Sequence, residues 1–181
     1  MSNMMRPGGF SLIPTVVKNL LIINGLFFLG TLAFERYGVD LVRILGLHIP
    51  QSEFFRPHQL VSYIFMHGGF NHILFNMFAL WMFGSAIENI WGGKRFLIYY
   101  MVTGLGAGLI HLGVLEFQFF SIAKDLTTDQ MAVVYDMAKE GVYLPIELDR
   151  DSIDKLLSLL YVPTVGASGA VFGLLLAYGM M

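Results

Sequence analysis

The sequence predicts an all-α, polytopic transmembrane helical bundle, and three observations carry that expectation. Of 181 residues, 56% are hydrophobic and only 13% charged. The mean hydropathy is +0.66, too apolar for an ordinary soluble domain. The apolar residues also gather into about four runs that approach the ~20 residues needed to cross a ~30 Å hydrocarbon layer as helix.

The first run extends from about Val16 to Phe34, with Lys18 placed to reach back toward the headgroups. No small-residue cleavage site follows it, so it reads as a retained span rather than a signal peptide. The second extends from about Phe70 to Ile87 and is expected to stop before Glu88. Phe96 to Leu115 is the third, free of charge throughout. The fourth lies within Leu156 to Met181, where Pro163 and Gly166 break the run, so its helix is expected to start near Ser168.

Charge placement orients these spans. Arg6 and Lys18 precede the first, and Lys94 and Arg95 occupy the short link between the second and third. The positive-inside tendency puts both regions, and with them the amino terminus, on the cytoplasmic side. Glu35 to Pro57 is then an interfacial loop, at about residues 35–57, with Leu41, Val42, Ile44, Leu45, Leu47 and Ile49 suited to lie at the membrane surface. An acidic extracytoplasmic insert falls at about residues 116–160. It carries Glu116, Asp125, Asp129, Asp136, Glu140, Glu147, Asp149, Asp151 and Asp154 against Lys124, Lys139, Arg150 and Lys155. Apolar residues recur at helical spacing in Leu126 to Gly141 and in Asp149 to Leu160, predicting two short amphipathic helices. A solvated loop element is favoured there over a substrate-contacting cap.

The balance of 11 Lys+Arg against 13 Asp+Glu gives a net charge of -2 with no basic block, which argues against a nucleic-acid partner. With no Cys there is no thiol nucleophile, disulfide framework or Cys-based zinc site. His67 and His72 are five apart, off the i, i+4 spacing of paired helical ligands, so no metal is expected.

Two polar clusters inside the apolar runs point to chemistry. His72 and Asn76 are four residues apart, on one helical face. Polar side chains at membrane depth are costly unless they pair or line a cavity. Taken alone, the pair suits an interhelical hydrogen bond as well as it suits a site. Ser168 follows Gly166-Ala167 and opens a short helix, which sets its hydroxyl beside free backbone N–H groups able to hold an anion. A hydroxyl nucleophile with oxyanion donors needs that arrangement. Small residues at Gly104, Ala107 and Gly108, and at Gly169, Gly173 and Ala177, predict close helix packing, with His111 a satisfied polar group near a helix end.

At His67-Gly68-Gly69-Phe70-Asn71-His72-Ile73-Leu74-Phe75-Asn76-Met77, Glu88, the Gly-rich third run and Gly166-Ala167-Ser168-Gly169, the chain resembles the rhomboid intramembrane serine proteases. The resemblance covers about Pro57 to Met181 apart from the acidic insert. It implies a rhomboid-like bundle of six or more spans, about four of them present here. It also implies a serine endopeptidase that cleaves transmembrane segments of client proteins in the lipid bilayer by a Ser-His dyad, without a cofactor. Ser168 takes the role of nucleophile, and its backbone N–H, His72 and Asn76 that of oxyanion stabilisation. Glu88 resembles the family's helix-end carboxylate, a structural contact near the cytoplasmic face. In a prokaryote such a multi-pass protein is expected in the plasma or inner membrane.

The chain departs from the family in three places. Phe55-Arg56 and His58-Gln59 stand where a Trp-Arg pair is frequent, Phe172 stands where Tyr often stacks on the catalytic His, and the general-base His of the sixth span is not present in this chain. The last helix, ~20 Å long from Ser168 to Met181, has no flanking cation, which predicts a longer parent chain and little activity for these residues alone. The rival expectation is a non-catalytic rhomboid-like protein that binds membrane clients. A transporter subunit ranks third, because its spans would need more ionisable residues.

Overall fold

A computed structural model describes residues 10–141, 143–144 and 149–181. Arg6 and Glu147, both invoked above, lie outside the described residues. The elements are α1 (Thr15–Glu35), α2 (Leu41–Leu45), α3 (Gln59–Ser62), α4 (Phe70–Ala79), α5 (Ser85–Trp91), α6 (Gly93–Ala123), α7 (Thr128–Glu140), α8 (Arg150–Tyr161) and α9 (Ser168–Gly179). A π turn, Leu80–Gly84, joins α4 to α5 without a break. By length and composition α1, the α4–α5 unit Phe70–Trp91 and α6 can each cross a bilayer, while α9 is a shorter apolar helix. The chain is thus an integral membrane protein built as an all-helical bundle.

Two of the expected boundaries move, for one reason each. The second span passes Glu88 and ends at Trp91, because the Glu88 carboxylate is occupied by another helix. Pro14 at the N-cap of α1 offers no side-chain hydrogen bond. Instead Glu88 Oε1 accepts from the Val16 N–H at 2.9 Å and Oε2 from the Val17 N–H at 2.8 Å. Two of the four orphan donors of α1 are satisfied by an anion at the positive end of its dipole. The third span passes Glu116 and continues to Ala123, and Glu116 Oε2 accepts from Gln51 Nε2 at 2.8 Å above the apolar stretch.

The small residues of α6 and α9 interlock. A β-carbon on Gly169 would lie 2.5 Å from Ala107 Cβ, and one on Gly173 would lie 2.6 Å from Thr103 Cβ. Backbone approach this close brings Tyr99 Oη to donate to the Gly173 carbonyl at 2.9 Å. The core around this seam includes Ile64, Phe96, Tyr100, Ala170 and Leu174, all essentially buried. Ile22, Leu26 and Leu29 on α1 face outward, as lipid-facing residues do.

The first loop is held by side chains, with only α2 helical between Glu35 and Pro57. Gln59, fully buried, accepts from the His48 and Arg56 N–H groups and donates to the Ile44 and Phe54 carbonyls. Helices α7 and α8 form a hairpin with Val134, Met137, Ile153, Leu156 and Leu160 buried. Thr127 and Gln130 make a capping box at the start of α7, and Asp149 caps α8 through the Ser152 N–H. Ser52 Oγ donates to the Leu160 carbonyl at 2.5 Å, tying this hairpin to the first loop.

Candidate functional site

The segment that delivers Ser168 is fixed at three points. Leu47 and Thr164 exchange backbone hydrogen bonds of 2.9 and 2.8 Å, and the Gly166 N–H donates to the Tyr63 carbonyl at 2.9 Å. Tyr63 Oη in turn donates to the Gly104 carbonyl of α6 at 2.6 Å. Tyr63 therefore links the serine loop to the long third span. No periodicity or motif marked it.

Ser168 is the first residue of α9, exposed at the mouth of that helix. The first backbone N–H groups of α9 have no intrahelical acceptor, so they converge near its hydroxyl. On α4, His72 and Asn76 face the same region. They line a cavity of about 370 Å³ together with Asn71, Phe75, Ser168, Val171, Phe172 and Leu175. A larger cavity of about 600 Å³ lies between α1, the first loop and the start of α4 and does not include Ser168.

Gly166 sets the spacing. Its φ is +122°, a conformation that side chains rarely adopt. The point where its β-carbon would stand lies 2.6 Å from His72 Nε2, 2.8 Å from His72 Cε1 and 3.8 Å from Ser168 Oγ. Only a residue without a side chain lets the imidazole approach the serine loop. The three residues singled out from the sequence, Ser168, His72 and Asn76, are thus brought together.

Asn76 is buried, and its Nδ2 donates to the His72 carbonyl at 2.9 Å. One amide hydrogen is spent on its own helix and a second is left for the cavity. Phe172 is 71% exposed and lines the same cavity.

The other histidines lie elsewhere. His48 is buried in the first loop, its Nε2 3.0 Å from the Arg43 carbonyl. His58 Nε2 lies 3.2 Å from the Ile44 carbonyl, and His111 lines a separate recess beside Pro163 and Thr164. His67 is buried against His72, ring centroids 5.1 Å apart and planes at 68°. Burial, and then the charge His72 can carry, push His67 down to about 4, so it is neutral at pH 7. Among the described residues no group of three metal-ligating side chains comes together, and His72 is the histidine that shares the cavity with Ser168.

Such a site, a mainly apolar recess into which Ser168, His72 and Asn76 bring polar groups, sits in a bundle of membrane-spanning helices. Comparison with known proteins narrows this. The Rhomboid domain profile matches residues 53–181, and the chain belongs to the rhomboid family. It is 40% identical over 57 residues to rhomboid protease GluP of Bacillus subtilis, a stretch covering 32% of this chain and 11% of that protein. To the putative rhomboid protease YdcA of the same organism it is 35% identical over 66 residues, 36% of this chain and 32% of the relative. To RHOMBOID-like protein 5 of Arabidopsis thaliana it is 38% identical over 52 residues, 29% of this chain and 17% of the relative. The matched stretches thus span between about a tenth and a third of these relatives.

Proposed function

We propose that the protein is an intramembrane serine endopeptidase that cuts transmembrane segments of client proteins within the lipid bilayer. The observation that carries this reading is the convergence of Ser168 Oγ and His72 Nε2 on the space vacated by the absent Gly166 side chain. Ser168 Oγ attacks the scissile carbonyl and loses its proton to a base. The oxyanion that forms accepts hydrogen bonds from the Ser168 backbone N–H, His72 and Asn76. Each well-placed donor in a dry site is worth about 3 kcal/mol to the transition state. Collapse of the tetrahedral intermediate expels the protonated amine, and water then hydrolyses the acyl-enzyme.

His72 is committed to the oxyanion, and the described residues bring no second imidazole to Ser168 Oγ. No histidine among the described residues is assigned as the base. No cofactor enters the reaction. The client helix must unwind locally, since its carbonyls are otherwise engaged in intrahelical hydrogen bonds. The amino terminus is assigned to the cytoplasm, with the first loop and the α7–α8 hairpin on the far side.

That the described residues bring no second imidazole beside Ser168 also supports an alternative, a rhomboid-like protein that binds membrane clients without cutting them. Reconstituting the full-length protein in liposomes with a panel of transmembrane peptides separates the two. Proteolysis is expected from the parent protein and not from Ser168→Ala. Peptides retained intact by both forms would support the binding reading.

A further inference from the structure

His67 is a buried titratable group that the proposed reaction does not use. It is 1% exposed, and its ring nitrogens are poorly satisfied, the Phe65 backbone giving them a minor polar contact. Burying a polar ring so poorly satisfied is unfavourable, and an explanation lies in what the ring touches. Its one aromatic neighbour among the described residues is His72, met edge to face at 5.1 Å. The two residues that follow, Gly68 and Gly69, carry no side chain to brace the start of α4.

We infer that His67 is a positioning residue for His72, its ring fixing the orientation in which His72 Nε2 is presented at Gly166 and Ser168. This inference rests on the oxyanion role proposed for His72. An imidazole at a helix start can rotate about χ2 between two broad, roughly equivalent wells. The tip of His72, Nε2 and Cε1, lies against the backbone of Gly166, which limits how far the ring advances but not how it is turned. The flat edge of His67 removes that remaining freedom. The contact with His72 is ring to ring, and the minor polar contact of His67 goes to the Phe65 backbone, so the brace acts on His72 through the shape of the ring. Its depressed basicity keeps it uncharged at neutral pH, so the brace adds no charge beside the oxyanion position.

The contact of shapes makes a choice among substitutions. Phenylalanine at 67 retains a flat ring and loses both nitrogens, glutamine retains polarity and loses the ring, and alanine loses both. The test uses the full-length protein in lipid nanodiscs with ¹³C,¹⁵N-labelled histidine, comparing His67→Phe, His67→Gln and His67→Ala with the parent. One sharp His72 ring resonance is expected in the parent and in His67→Phe. Doubled or exchange-broadened signals are expected in His67→Gln and His67→Ala. In parallel, labelling of Ser168 by a fluorophosphonate at pH 7 should fall about tenfold in the glutamine and alanine variants and less than threefold in the phenylalanine variant, since small misplacements of a catalytic group are costly.

Thermal unfolding checks that each variant is folded, and if alanine is not tolerated the phenylalanine–glutamine pair decides. An unchanged His72 resonance in His67→Gln, or equal damage from phenylalanine and glutamine, would overturn the inference. If the parent itself does not label, the protease reading fails while the His72 resonances still judge the role of His67.

Discussion

Gly166 and His72 exclude any side chain between them: a β-carbon at 166 would lie 2.6 Å from His72 Nε2, closer than real β-carbons come to any heavy atom. Gly166→Ala should therefore push the imidazole out of the cavity and strain a backbone held at φ +122°. Fluorophosphonate labelling of Ser168 is expected to fall by about 10²-fold, the usual cost of losing one oxyanion donor. The helical circular dichroism should persist, and a variant that labels at the parent rate would contradict this geometry.

Glu88 joins the second span to the first by its two hydrogen bonds to Val16 and Val17. Glu88→Ala leaves those donors unpaired at a buried helix start. Hydrogen bonds to a charged group contribute about 1.5–3 kcal/mol each, so a loss of a few kcal/mol is expected in reversible unfolding in mixed micelles. Glu88→Gln should lie between alanine and the parent.

The seam between α6 and α9 is closed by Gly173 against Thr103. Gly173→Val forces the helices apart or displaces Tyr99 from the Gly173 carbonyl. Overpacking of this kind costs about 1–3 kcal/mol. A lowered unfolding midpoint should be recovered in part by Thr103→Ala, and additivity of the two changes would argue against direct contact.

Acid should weaken the fold through two loop histidines. Burial lowers His48, against a smaller opposing effect of its Arg43 hydrogen bond, and brings His67 to about 4. The unfolded chain takes up protons near pH 6.5, so in each case the folded state binds fewer protons than the unfolded state below that pH. Stability is full above about pH 6.5 and falls as the pH drops toward 4. His67→Phe should flatten part of that slope in a pH series of thermal unfolding, and an unchanged slope in a variant lacking both imidazoles would refute the assignment.

Much of the candidate site was legible because its parts are local. His72 and Asn76 share a face through i, i+4 spacing, and Ser168 is announced by a glycine-bounded loop at the head of an apolar run. The helix spacing of small residues likewise anticipated the α6–α9 seam. What stayed hidden depends on partners distant in the chain. The link from Tyr63 to Gly104 and Gly166, the hub at Gln59, and the capping of α1 by Glu88 join residues with no periodic relation. The boundary errors share that origin. A carboxylate in sequence reads as the end of a span, but Glu88 is engaged by α1 and Glu116 by Gln51, and both helices run on.

The account stands on Ser168 being an activated hydroxyl beside donors from a neighbouring span. The most direct measurement is mass-spectrometric mapping of a fluorophosphonate adduct on the full-length protein in native-like bilayers. A single adduct at Ser168 is expected, absent from Ser168→Ala and about 10²-fold slower to form in His72→Ala and in Asn76→Ala. No adduct at Ser168, or one whose rate ignores both substitutions, would contradict the account.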